Sequence, residues 1–197
     1  KLVLRKGEIN ILTGRTGCGK TSILDAIVGI IDSNANSLLI DNKEINQLNH
    51  VHLRKQISYV TQDTFLFDGT LQENIAFGNT SVTKTKVISF LSKLKIGDFI
   101  FKLPKGLDTY IYSQGQKLSG GERQRVNIIR ELIVPKKIIL LDEFTSALDE
   151  KTSRSVISFL TNNYKKSLIL CVTHQPEIFK KPYRLFLIKK SRLIEVK

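Results

Sequence analysis

The chain has 197 residues, 41% of them hydrophobic and 25% charged, a size and balance that fit one compact domain with a sizeable core. Its 31 Lys+Arg exceed 18 Asp+Glu to give a net charge of +13, spread over Lys93 to Lys105, Lys165 with Lys166, and Lys189 to Arg192. With no aromatic-interleaved stripe among them, these charges argue against a nucleic-acid site and for a solvated, lysine-rich surface that suits anionic lipid headgroups.

Ile9-Asn10-Ile11-Leu12-Thr13 has the character of a short buried strand, and Ile23, Leu24, Ile27, Val28 and Ile31 recur at helical spacing. Between them stands Gly14-Arg15-Thr16-Gly17-Cys18-Gly19-Lys20-Thr21, a complete phosphate-binding loop in the strand-loop-helix context that such a loop requires. Its glycines let main-chain N–H groups approach phosphate oxygens, and the new helix aims the positive end of its dipole at the same anion. Lys20 is expected to reach the β- and γ-phosphates, and the Thr21 hydroxyl to ligate Mg²⁺.

Short strands are predicted at Leu38–Ile40 and Ile57–Thr61. From Phe65 to about Ile133 the pattern is mostly helical, with Val87, Ile88, Leu91 and Leu94 on one face, and Pro135 ends the last helix. In this stretch Leu118-Ser119-Gly120-Gly121-Glu122 reads as a second phosphate-binding motif at a helix start, offering N–H groups and a hydroxyl to an anion. Ile138-Ile139-Leu140-Leu141-Asp142-Glu143 describes a strand buried on both faces that ends at the carboxyl edge of a parallel sheet, where ligands bind. Asp142 is expected to hold the magnesium shell and Glu143 to orient or deprotonate water, a plain helix cap being the alternative.

A helix near Glu150–Asn163 with Val156, Ile157 and Leu160 inward, a central strand at Leu168–Thr173 and a hairpin across Lys189–Arg192 complete the pattern. Alternating strands and helices imply an α/β fold with a mostly parallel sheet. No apolar run approaches the roughly 18 residues of a membrane helix. Cys18 and Cys171 show no metal spacing, and a reducing cytosol is the expected setting. Cys18, among glycines at a helix N-terminus, is a candidate reactive thiol. There is no methionine, so the chain is expected to be a piece of a longer protein, and no signal peptide is visible.

Taken in order, these motifs resemble the nucleotide-binding domain of ATP-binding-cassette (ABC) transporters. Tyr59-Val60-Thr61-Gln62-Asp63 resembles the Q-loop, and Leu118-Ser119-Gly120-Gly121-Glu122-Arg123-Gln124-Arg125 the family signature. Ser146-Ala147-Leu148-Asp149 is similar to the D-loop, and Val172-Thr173-His174-Gln175 to the switch-histidine motif. The segments Leu66 to Gly78, Leu103 to Thr109 and Leu53 to Ile57 resemble exporter-type half-transporters, in which this region faces the coupling helices of the membrane domain. The chain departs from that pattern at Tyr112-Ser113, where Gly-Glu is usual, while Gly115 is kept. Gln175 replaces an Arg, and glycines are missing near Asp41-Asn42 and around Ser191. The family's opening strands, with the aromatic that stacks on adenine, are not in this sequence.

The resemblance implies a P-loop NTPase core at 1–64 and 134–197 and an ABC-type helical, signature-bearing subdomain at 65–133. It implies ATP and Mg²⁺ as ligands, held by Gly14, Arg15, Thr16, Gly17, Cys18, Gly19, Lys20, Thr21 and Ser22, with Gln62, Ser119, Gly120, Gly121 and Glu122. Thr21, Gln62 and Asp142 would serve the metal, and Glu143, His174 and Gln62 the chemistry. For His174 the plain alternative is a solvated loop histidine. The implied partners are a second cassette, which sandwiches two ATP molecules head to tail, and membrane-domain coupling helices at the cytoplasmic face of the inner membrane. No nucleic-acid partner is expected. A soluble ABC ATPase of translation or DNA maintenance is an alternative, although fewer than about sixty residues between Gln62 and the signature leave no room for a long coiled coil. A non-hydrolysing regulatory cassette is another, opposed by intact Glu143 and His174.

Overall fold

Apolar runs without helical period form the centre of a six-stranded sheet in the computed structural model, which describes residues 3–32, 38–112, 118–180, 182–189 and 192–196. In chain order the elements begin with β1 (Ile9–Gly14), α1 (Lys20–Val28), β2 (Leu39–Ile40), β3 (Lys43–Glu44), α2 (His50–Arg54) and β4 (Ile57–Val60). Then come β5 (Gly69–Thr70), α3 (Leu71–Ala76), α4 (Lys84–Leu94), α5 (Asp98–Lys102), β6 (Tyr110–Ile111) and α6 (Gly120–Leu132). The last are β7 (Ile138–Asp142), α7 (Glu150–Asn163), β8 (Leu168–Val172), β9 (Tyr183–Lys189) and β10 (Arg192–Val196). These elements fall into two units, one of residues 1–59, 136–142 and 166–197, the other of 60–135 and 143–165.

The first unit is built on the sheet, ordered β10-β9-β1-β8-β7-β4. β1 runs parallel to β8 and β9, and β7 parallel to β8, while β10 returns antiparallel to β9. The fold is therefore the mixed α/β arrangement with a mostly parallel sheet that the sequence implies. Leu12, Leu140, Leu170, Val172 and Phe186 of the sheet pack with Leu24, Ile27 and Val28 of α1 in one apolar core. α1 stops sooner than the periodicity suggests. Gly29 adopts φ 70, its N–H and that of Ile30 turn back to Ala26 and Asp25, and Ile31 lies beyond the helix and exposed. The glycine missing near Asp41-Asn42 also has its explanation: these two residues take φ 48 and 64 in the two-residue turn between β2 and β3. Asp and Asn tolerate that left-handed backbone better than other side chains do.

The second unit is mainly helical. On α4, Val87, Phe90, Leu91 and Leu94 are buried, and Ile88, which the sequence placed on that face, is 50% exposed. The spacing 87, 90, 91, 94 is one helix face, and residue 88 is a step off it. Phe90 meets Phe159 of α7 edge-on with centroids 5.3 Å apart, and Tyr164 donates its hydroxyl to the Leu132 carbonyl. Burial pushes the Tyr164 phenol up to about 12. Two short strands that the sequence did not signal, β5 and β6, pair antiparallel. Ser113, Gly115 and Ser191 lie outside the described residues.

Asn74 on α3 organises the exporter-like segment. Fully buried, it accepts from the Phe67 N–H at 3.1 Å and donates to the Phe67 and Thr70 carbonyls at 2.9 and 3.2 Å. Arg130 of α6 adds bonds to the carbonyls of Asn74 (2.8 Å) and Phe65 (3.0 Å) and lies over the Phe77 ring. Asn74→Ala strips buried backbone groups of their partners, and we expect it to cost about 2–4 kcal/mol of stability. A urea titration checks this; a loss below ~1 kcal/mol would show that water replaces the amide.

Candidate nucleotide site

Parallel register places the site. Leu12 of β1 and Asp142 of β7 both pair with Val172 of β8; β7 and β8 end at that level, and β1 runs two residues further, to Gly14, beside β9. From this end of the sheet β1 runs into the phosphate loop, β7 into Glu143, and β8 into Thr173-His174. Gly17 and Gly19 hold φ of 77 and 93, backbone that a side chain with a Cβ resists, and this lets the loop wrap before α1 begins.

Lys20, the first residue of α1, is 6% exposed. Its Nζ donates to the carbonyls of Gly14 (3.0 Å) and Arg15 (3.2 Å) and lies 3.3 Å from His174 Nε2, which accepts from the ammonium. Thr21 Oγ1 donates to Asp142 Oδ2 at 2.8 Å, and Asp142 is 2% exposed. Burial pushes the nearby Tyr59 phenol well above its ordinary range, and the carboxylates of Asp25 and Asp142 push the same way. The first unit thus brings together Lys20, Thr21, Asp142 and His174, with Arg15, Thr16 and Ser22 exposed on the loop and helix start. A buried carboxylate beside a hydroxyl is a hard-oxygen donor pair, chemistry that fits Mg²⁺.

The remaining candidates belong to the second unit. Glu143 is half-buried and takes φ 42, a left-handed backbone rare for glutamate, and its carbonyl accepts from Ser146 N–H. Gln62 is exposed. Ser119 caps α6 in a reciprocal box with Glu122: its N–H and hydroxyl donate to Glu122 Oε2 at 2.8 and 2.9 Å, and its oxygen accepts from Glu122 N–H. The donors expected to face an outside anion therefore hold the chain's own carboxylate. Gly121 is needed for packing, because a Cβ there would stand 2.6 Å from the Ala147 carbonyl oxygen. Asp149 caps α7, and hydrogen bonds from Thr152 hold its carboxyl below the usual range. The spacing Ser119-x-x-Glu122 is a capping-box pattern, so this turn of the signature was legible in the sequence.

A sequence model of the family described as ABC transporter matches residues 1–146. This chain belongs to that family. It is 36% identical over 194 residues to the ATP-dependent lipid A-core flippase of Syntrophus aciditrophicus (strain SB), covering 98% of this chain and 32% of the flippase. It is 34% identical to P-glycoprotein 14 of Caenorhabditis elegans, again over 98% of this chain but 15% of the relative. A solved structure of a bacterial Atm1-family ABC exporter with ATP bound superposes with a TM-score of 0.89 at 31% identity, over 96% of this chain and 33% of that one. The chain is thus an ABC nucleotide-binding domain of exporter type and spans a third or less of the relatives' length. Among the described residues no helix is long and apolar enough to cross a membrane.

The cassette's two cysteines differ sharply. Cys18 is partly exposed in the loop, whereas Cys171 is buried in β8, where burial pushes its thiol well up. Thiol alkylation is expected to reach Cys18 first and to abolish nucleotide binding, with ATP protecting. Peptide mapping of the alkylated protein checks this, and equal labelling of both cysteines would contradict the placement.

Proposed function

We propose that this cassette binds MgATP on Gly14–Ser22, hydrolyses it, and powers an exporter by closing head to tail on a second cassette. The observation that carries the proposal is the convergence of Lys20, Thr21, Asp142 and His174 at one sheet edge, with the lysine and the aspartate buried. Thr21 and Asp142, with Gln62, would hold Mg²⁺, which when bound neutralises charge on the β- and γ-phosphate oxygens. Lys20 binds the same phosphates, Glu143 orients or deprotonates the attacking water, and His174 contacts the γ-phosphate. On this reading residues 1–64 and 134–197 are the nucleotide-binding core, and 65–133 carry the signature.

Ser119, Gly120, Gly121 and Glu122 serve the ATP of the partner cassette. A cleft of about 430 Å³ lined by Phe67, Asp68, Glu73, Ala76, Asn79 and Val82, with exposed Phe77 beside it in sequence, supports docking of the membrane domain's coupling helices. On this reading the cassette works at the cytoplasmic face of the inner membrane. The exporter-type segment favours this reading over a soluble ATPase of translation or DNA maintenance. Retention of both Glu143 and His174 favours it over a regulatory cassette.

Glu143→Gln should keep ATP binding, lower hydrolysis by about 10²-fold or more, and trap an ATP-bound dimer. Turnover near wild type in that variant would remove Glu143 from the role.

Ser119→Arg places a bulky cation where the partner's γ-phosphate docks. ATP affinity of the monomer should hardly change while ATP-dependent dimerisation and turnover collapse. Mixing it with Lys20→Ala should restore some activity, because both defects can fall on one site and leave the other intact. If Ser119→Arg weakens monomer binding as much as Lys20→Ala does, the signature acts within its own chain and the sandwich is wrong.

A further inference from the structure

The N-cap of α1, Gly19, has no side chain to cap the helix. Besides its apolar packing on the sheet, two polar side chains one turn apart tie α1 to neighbouring strands. Thr21 donates to Asp142 on β7, and Asp25 Oδ1 accepts the Tyr59 hydroxyl of β4 at 3.2 Å. Residues four apart share a helix face, and β7 and β4 are neighbours in the sheet. One face of α1 is thus hooked to two adjacent strands. The apolar face of α1 is seated in the core through Leu24, Ile27 and Val28, and the two bonds add direction on the polar face that carries Thr21.

The Tyr59 ring packs against the apolar core that includes Leu24, Ile27 and Leu140, so the phenol arrives at Asp25 from a held position. With its ionisation suppressed by burial and by the carboxylates of Asp25 and Asp142, the hydroxyl remains a donor at physiological pH. Tyr59 also stands three residues before Gln62 on the strand that leads to it.

We propose that Tyr59 and Asp25 are positioning residues for the magnesium site, holding α1 so that the Thr21 hydroxyl faces the Asp142 carboxylate. The inference rests on the reading of Thr21 and Asp142 as the magnesium donors. Partners hydrogen-bonded directly to metal ligands are worth roughly 10- to 100-fold in metal affinity, and the Tyr59–Asp25 bond, one helical turn from Thr21, is expected at the low end of that range. The phosphates, held by the loop backbone and Lys20, depend on the hook less.

The test uses the full-length protein that carries this cassette, with Mn²⁺ as the probe, counted by electron paramagnetic resonance in the presence of ATP. Tyr59→Phe and Asp25→Leu should each weaken Mn²⁺ binding roughly tenfold. Asp25→Asn, which keeps the acceptor oxygen, should stay near wild type. ATP affinity in EDTA should be the same in all three. Unchanged Mn²⁺ affinity in Tyr59→Phe overturns the proposal. So does a loss of EDTA-state ATP binding as large as the loss of Mn²⁺, since that marks general damage to the fold. Asp142→Asn separates the layers: if it weakens Mn²⁺ binding while Tyr59→Phe does not, only the positioning role fails. If Asp142→Asn also leaves Mn²⁺ binding intact, the magnesium reading falls with it.

Discussion

The in-register parallel pairing of β1, β8 and β7 is the constraint on which the first unit depends. Because Leu12 and Asp142 are both level with Val172, three chain segments far apart in sequence reach the same end of the sheet, with β1 running two residues past the other two. Strands buried on both faces are mostly apolar along their length, with Asn10 the hydrogen-bonded exception on β1, so most of their polar side chains lie at the ends. That is why residues from positions 20, 21, 142 and 174 meet there in two hydrogen-bonded pairs, Lys20 with His174 and Thr21 with Asp142. Slipping one strand by two residues would keep its burial pattern and destroy the site. The burial pattern alone therefore does not select this register.

The second unit has its own spine in α6, whose 13 residues span ~20 Å at about 1.5 Å per residue. Its first turn is the signature, closed by Glu122 and pressed against the Ala147 carbonyl through Gly121. Towards the other end Arg130 is half-buried, and desolvation lowers its pKa, yet its charge is met by the carbonyls of Asn74 and Phe65 and by the Phe77 ring. Between these ends Gln124 meets Thr64 Oγ1 at 2.5 Å and Asn127 donates to the Thr61 carbonyl. One rigid element thus touches the signature turn, the residues around Gln62 and the exporter-like segment.

The sequence disclosed what depends on local pattern. The phosphate loop, the strand that ends at Asp142, the α7 face of Val156, Ile157 and Leu160, and the stop before Pro135 all follow from spacing, and the structure has them. Periodicity misled where it met a competing local signal. Ile31 fits the helical repeat, but Gly29 turns the chain first; Ile88 is as apolar as its neighbours, but one step round the helix puts it in solvent. The Tyr59–Asp25 bond had no signature at all, since it joins residues 34 apart through a contact that exists only once β4 lies beside β7. The Ser119–Glu122 box was the opposite case, a short-range pattern fully written in the sequence but overshadowed by the anion-binding meaning of the same residues.

Lys20 shows what such a site requires of its ligand. Its ammonium is buried, and its three N–H donors have acceptors within the protein: two loop carbonyls and the imidazole of His174. If a phosphate binds here as proposed, it would replace an acceptor already bonded to this nitrogen, and its affinity would be the difference between two sets of bonds. Of the three acceptors the imidazole alone lies outside the loop, so on the proposed reading it is the one a phosphate would replace without moving the cradle.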